Sequence, residues 1–150
     1  MNKAIASIFG IGFIKGGGTV AAVVTCVVLY LLWQQTWYNN TLYLPLFTII
    51  ITLIGIYVGD KVEPAWGKDS SRVVIDEVAG MMVTMLFIPT GLYFLIAGLI
   101  FFRFFDIVKP LYIRNMEKYP GGKGVMFDDL LAGAYANILL WLIVIIDRVF

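Results

Sequence analysis

The sequence predicts an all-α protein: a polytopic membrane helical bundle of about five membrane helices, preceded by a short N-terminal interfacial or re-entrant helix. Three observations lead there. Of the 150 residues, 61% are hydrophobic and only 14% charged, with a mean hydropathy of +0.90, outside the usual range of soluble domains. Apolar runs lie at about 20–33, 44–58, 78–88, 92–102 and 130–146, and several approach the roughly 20 residues a helix needs to cross a bilayer. No alternating strand pattern competes with them.

The opening MNKAIASIFGIGFIKGGG sets Lys3 before a short apolar stretch. It lacks the small-x-small site of a cleaved leader and continues into Lys15 and three glycines, so it is expected to stay in the mature protein as the interfacial or re-entrant helix. Helix one is expected over about 20–37, ending in WQQTWYNNT, whose Trp33, Trp37, Tyr38 and Tyr43 suit a membrane–water interface. Helix two returns over about 44–59 and meets the polar loop DKVEPAWGKDSSR. Helix three begins near Arg72 or Val73, with Ser70 and Ser71 as candidate caps, and runs to Ile88, where PTG offers a turn. Helix four ends in FFRFFDIVKP, stopped by Pro110. The loop LYIRNMEKYPGGKGVMF leads into helix five, DDLLAGAYANILLWLIVII. Cys26 is the single cysteine, which excludes an internal disulfide and points to packing. Residues 1–150 are read as one membrane-embedded domain, without repeats.

Residues 78–102 fit either a hairpin or one tilted helix kinked at Pro89. Charge asymmetry favours the hairpin. It collects Lys3, Lys15, Lys61, Lys68, Arg72, Arg103, Lys109, Arg114, Lys118 and Lys123, ten of the eleven basic residues, on one side and leaves Arg148 on the other, as expected of a cytoplasmic face. Nine of the ten acids join them, Asp147 excepted.

The hairpin therefore gathers Asp60, Glu63, Asp69, Asp76, Glu77, Asp106, Asp128 and Asp129 at the cytoplasmic ends of four helices. Carboxylates so crowded repel one another unless cations intervene. With no histidine in the chain and no usable cysteine, oxygen-only ligands favour Mg²⁺ or Mn²⁺ over Zn²⁺. Either doublet, Asp76–Glu77 or Asp128–Asp129, could simply cap a helix, but one acid suffices for a cap and the doublet occurs twice. Adjacent acids on a helix point about 100° apart, so each doublet can offer one carboxylate to a metal and the other to a second metal or a supporting partner.

Arg103, Asp106 and Lys109 follow i, i+3, i+6 spacing at the end of helix four. They read either as a snorkelling arginine with a local ion pair or as a clamp on a phosphate beside the metal. Lys15 and the glycines after it are a further candidate anion cradle, or a helix-packing element. Gly80 after Glu77, Gly133 after Asp129 and Asn137 on the same face as Gly133 permit close helix approach. Without histidine, a phosphate-loop cysteine or a DxD motif, the chemistry left is attack by water assisted by a carboxylate-held divalent cation.

RVVIDEVAG, FRFFDIVKP and GGKGVMFDDLLAG closely resemble, in order and spacing across residues 60–137, the three signature blocks of bacterial phosphatidylglycerophosphatase A. The family's N-terminal block usually reads like APGTWGSL; in KGGGTVAAVV, Gly18 and Thr19 match, while the prolines, Trp and Ser are replaced. The resemblance implies an Mg²⁺-dependent phosphatase of the bacterial inner membrane that removes the terminal phosphate of phosphatidylglycerophosphate, with the membrane and a phospholipid as partners and no nucleic acid. On that basis Asp76, Glu77, Asp128 and Asp129, helped by Glu63 and Asp106, are expected to hold one or two Mg²⁺. Arg103 and Lys109, with Lys15 and Thr19, are expected to bind the phosphate, and Asp129 or Asp76 to act as base; an aspartyl-phosphate intermediate stays open. Rival readings are a phosphatase for another lipid, such as a polyprenyl phosphate or phosphatidic acid, and a small cation transporter with acids along an ion path.

Overall fold

The computed structural model describes residues 1–150 apart from Trp37, Asp69, Leu111 and Phe150, and for Val149 the backbone alone. The expected roles of Trp37 at an interface and Asp69 in the acidic group fall outside the described residues. Regular structure among those described is entirely helical: α1 Asn2–Ala6, a 3₁₀ turn at Ile11–Phe13, α2 Gly17–Trp33, α3 Asn40–Trp66, α4 Ile75–Thr84, α5 Leu92–Val108, α6 Ile113–Met116 and α7 Gly122–Val149.

Local chemistry sets most of these ends. Gly16, in the left-handed region at φ 78°, breaks the chain just before α2. Asn39 caps α3, its side chain accepting from the Thr41 and Leu42 N–H groups. That helix continues past Gly59, where a polar loop was expected. Val58 and Val62 are buried in an apolar cluster with Ala6 and Val73, and this burial carries the helix through Asp60 and Glu63 to its end near Pro64. Tertiary packing here overrides the polar sequence.

Helix α4 departs further from expectation: it stops at Thr84, four residues before Ile88. Thr84 bonds back to the Gly80 carbonyl at 2.9 Å, and Pro89 drives the residue before it away from helical geometry. The chain then turns, with Phe87 at φ 60°, and α5 runs back beside α4. Arg103 near the end of α5 lies 4.0 Å from Glu77 near the start of α4, so the two helices form the hairpin.

Two helices, Asn40–Trp66 and Gly122–Arg148, are long and apolar enough to cross a bilayer, each containing an 18-residue stretch of mean hydropathy 2.1. Helices α2 and α5 have 17 residues each and α4 only 10, so the expected five reduce to two of full length among the described residues. The main core joins α2, α4, α5 and α7 around Met81, Met85, Phe102 and Leu140, while a smaller cluster seats α1 against α3 and α7.

Candidate active site

The site is built where α4 crosses α7. A Cβ on Gly133 would overlap the Gly80 carbonyl, and one on Gly80 would come within 2.7 Å of the Asp129 carbonyl. The backbones therefore touch, as only glycine at both positions permits. Four residues back from Gly80 is Asp76 and four back from Gly133 is Asp129, so the contact places both acids on facing turns. Further along the same seam the Asn137 amide donates to the carbonyls of Thr84 and Leu86, each at 2.9 Å. It satisfies acceptors that the end of α4 leaves open.

Asp76, Glu77 and Asp129 converge at this crossing, each offering a carboxylate oxygen within 4.8 Å of the others'. Asp76 and Asp129 are 7% and 3% exposed. Two oxygens in the group, Glu77 Oε2 and Asp129 Oδ2, are buried without a hydrogen-bond partner. Three acids at this spacing, two of them buried and only Glu77 near a cation, Arg103 at 4.0 Å, cannot all be charged without a further cation, and the two uncommitted oxygens supply hard ligands of the kind Mg²⁺ takes. The residues present thus fit a divalent ion.

Helix α2 closes one side. A Cβ on Gly18 would overlap Glu77 Oε1 and reach 3.3 Å from Arg103 Nη1, so the first turn of α2, with its positive dipole end, rests against these groups. From α5, Arg103 donates through Nη1 to Asp106, while its Nε is buried and unpartnered. The expected local ion pair is present, and it leaves the buried Nε–H uncommitted.

Lys109 sits next door in an unusual backbone state, left-handed at φ 47° at the end of α5. Its ammonium donates to Glu117 at 2.7 Å and to Asp128, which is 2% exposed. Burial alone would lower its pKa, but the hydrogen bonds and charges of Asp128 and Glu117 outweigh that and hold it above the ordinary lysine value. Lys109 is thereby committed to carboxylates.

The remaining candidates are not members of the triad. Asp128 pairs with Lys109, and its Oδ1 accepts from the Asp129 N–H at 3.0 Å, as Asp76 Oδ1 does from Glu77 at 3.1 Å. Because α7 begins at Gly122, Asp128 and Asp129 lie in its second turn and are not caps; Asp76 and Glu77 do occupy the first turn of α4. Glu63 is half-buried near Gly121, where Asp60 accepts from the Gly122 N–H at 2.7 Å. Lys15 and Thr19 are exposed at the entry to α2. Sequence reasoning gave no role to Glu117, which lies in an irregular loop, and it read Gly18 as part of an anion cradle or a packing element, without the contact with Glu77 that the structure shows.

The chain is similar to known proteins along most of its length. The family model described as phosphatidylglycerophosphatase A matches residues 4–144. A Bacteroides thetaiotaomicron protein with the provisional name phosphatidylinositol-3-phosphatase is 40% identical over 142 residues, 88% of this chain and 86% of that one. Proteins named phosphatidylglycerophosphatase A from Haemophilus influenzae and Escherichia coli are 38% and 34% identical, over 65% and 71% of this chain and 62% and 66% of theirs. No solved structure matches. On the family match across nearly its whole length, the chain belongs to the phosphatidylglycerophosphatase A family of phosphatases.

Proposed function

We propose that the chain hydrolyses the terminal phosphomonoester of phosphatidylglycerophosphate to phosphatidylglycerol and phosphate, as a multi-pass enzyme of the bacterial inner membrane with its site on the cytoplasmic side. The observation that carries the reading is the Asp76–Glu77–Asp129 triad, with two uncommitted buried oxygens and an uncommitted Arg103 Nε. Asp76, Glu77 and Asp129 would hold Mg²⁺, which when bound supplies positive charge to the phosphate and acidifies water.

The chain's own groups account for the rest. Arg103 Nε donates to a phosphoryl oxygen as charge builds there, and Asp106 fixes the guanidinium plane so that little reorganisation is needed. Asp129 is our choice for the group that takes the proton from the attacking water, through whichever of its two oxygens is not turned to the ion. Lys109, occupied by Asp128 and Glu117, holds the α5 end against α7 and positions Asp128 beside Asp129. The acids cluster at one end of the hairpin and not along a path, which disfavours ion transport.

Phosphate release by the purified protein in detergent tests this, with Mg²⁺ or EDTA and with Asp129→Asn. The expected result is Mg²⁺-dependent release from phosphatidylglycerophosphate, reduced roughly a thousandfold in the folded variant, the scale of several kcal/mol of transition-state stabilisation. Phosphatidylinositol 3-phosphate belongs in the same assay, since the relative given that activity by name covers most of both chains. A clear preference for it over phosphatidylglycerophosphate would replace the substrate and leave the site intact.

A further inference from the structure

The wall that carries the acids continues into an apolar groove. It lies between α2, α3 and α4, measures about 310 Å³, and is lined by Val24 and Val28, by Phe47 and Ile50, and by Val78 and Met82 from the three helices in turn. On α4 Val78 follows Glu77 about 100° further round the helix and Met82 stands one turn beyond it, while on α2 Thr25 is seven residues from Gly18 and so on the face that meets Glu77. Thr25 also lines the groove, but its hydroxyl is committed to the Ala21 carbonyl at 2.9 Å.

The groove is open sideways. Val24, Val28, Phe47 and Ile50 are between 39% and 47% exposed, an outward-facing apolar rim that water would penalise and hydrocarbon would not. Along α2 the lining begins at Val24, about 9 Å from Gly18 at 1.5 Å per residue. That interval leaves the first turns of α2 to a polar headgroup.

We propose that this groove seats an acyl chain of the phospholipid substrate and so determines which lipids present a phosphate to the triad. The inference rests on the lipid-phosphatase reading above. The occupant follows from position: of the two apolar grooves along α2, this one is about 310 Å³ against about 160 Å³ for that between α2 and α5, and it alone of the two is lined by α4, the helix that carries Asp76 and Glu77. Chain length is then read by the depth of the groove.

The test compares dioleoyl with dihexanoyl phosphatidylglycerophosphate in wild type, Val28→Phe and Ile50→Phe, with Ile138→Phe on the outer face of α7 as the control for added bulk. Val28 and Ile50 are half-exposed and approach the groove from different helices, so a folding failure in one leaves the other informative. Narrowing is expected to raise KM for the dioleoyl lipid relative to the dihexanoyl lipid roughly tenfold, the size of effect produced when a pocket loses a few methylenes, while Ile138→Phe leaves the ratio as in wild type. An unchanged ratio in both folded groove variants overturns the proposal and makes the groove a place for bulk bilayer lipid. Wild type that releases no phosphate from either lipid defeats the enzymatic reading instead, a distinct result.

Discussion

Gly18 leaves Glu77 the space its carboxylate occupies. A methyl group there overlaps Glu77 Oε1 and crowds Arg103 Nη1 at 3.3 Å, yet the glycine sits in an ordinary helical turn with no positive φ to defend. Gly18→Ala is therefore expected to leave folding nearly intact, because the end of a glutamate side chain can swing aside, while moving one of three clustered acids. Displacements of about 1 Å at reacting groups cost on the order of a hundredfold in rate. Activity falling by that order with a thermal midpoint close to wild type checks it; equal activity would remove Glu77 from the reacting group. The acids themselves were legible from sequence, since carboxylates at the edge of apolar runs are costly unless used. Which of the gathered acids would meet was not. The i, i+3 spacing in FFRFFDIVKP allowed the Arg103–Asp106 pair, but nothing in it shows that Lys109 reaches Glu117 and Asp128, eight and 19 residues away, because such choices are made by packing between elements.

At the scale of elements, the α4–α7 seam repeats every four residues: Asp76 with Asp129, Gly80 with Gly133, Thr84 with Asn137. The spacing was visible in the sequence as two acidic doublets each followed by a glycine. The lengths were misjudged for physical reasons. Buried Val62 draws α3 onward through polar residues, while Thr84, Pro89 and the Asn137 amide let α4 end inside the bundle with its carbonyls satisfied. Gly133→Ala tests the seam. Its Cβ meets the Gly80 backbone, which cannot rotate away as a side chain can, so the helices must part. The expected cost is about 1–3 kcal/mol, as for other overpacked interiors, read as a lowered unfolding midpoint in detergent together with lost activity. That pairing distinguishes it from Gly18→Ala, where activity falls alone.

Seen whole, the molecule has two chemically different ends. At one, the start of α2, the start of α4, the end of α5 and the early turns of α7 bring together the acids and the cations that answer them. At the other, α2 hands over to α3 through a Trp33 Nε1–H donated to Asn40 Oδ1 at 3.0 Å, in a linker without basic residues. If the helices lie across a bilayer, this polarity demands that the basic end face the cytoplasm, where the phosphorylated headgroup would be presented. Single cysteines at Lys118 and Gln35, both exposed, in a Cys26→Ala background report on it directly. An impermeant thiol reagent applied to intact spheroplasts is expected to label Gln35→Cys and spare Lys118→Cys, which becomes reactive only after lysis. The reverse pattern would turn the acids outward and require substrate on the outer leaflet. Equal labelling of both sites before lysis would mean that α2 does not carry the chain across, and the groove between α2 and α3 would then lie along the membrane surface.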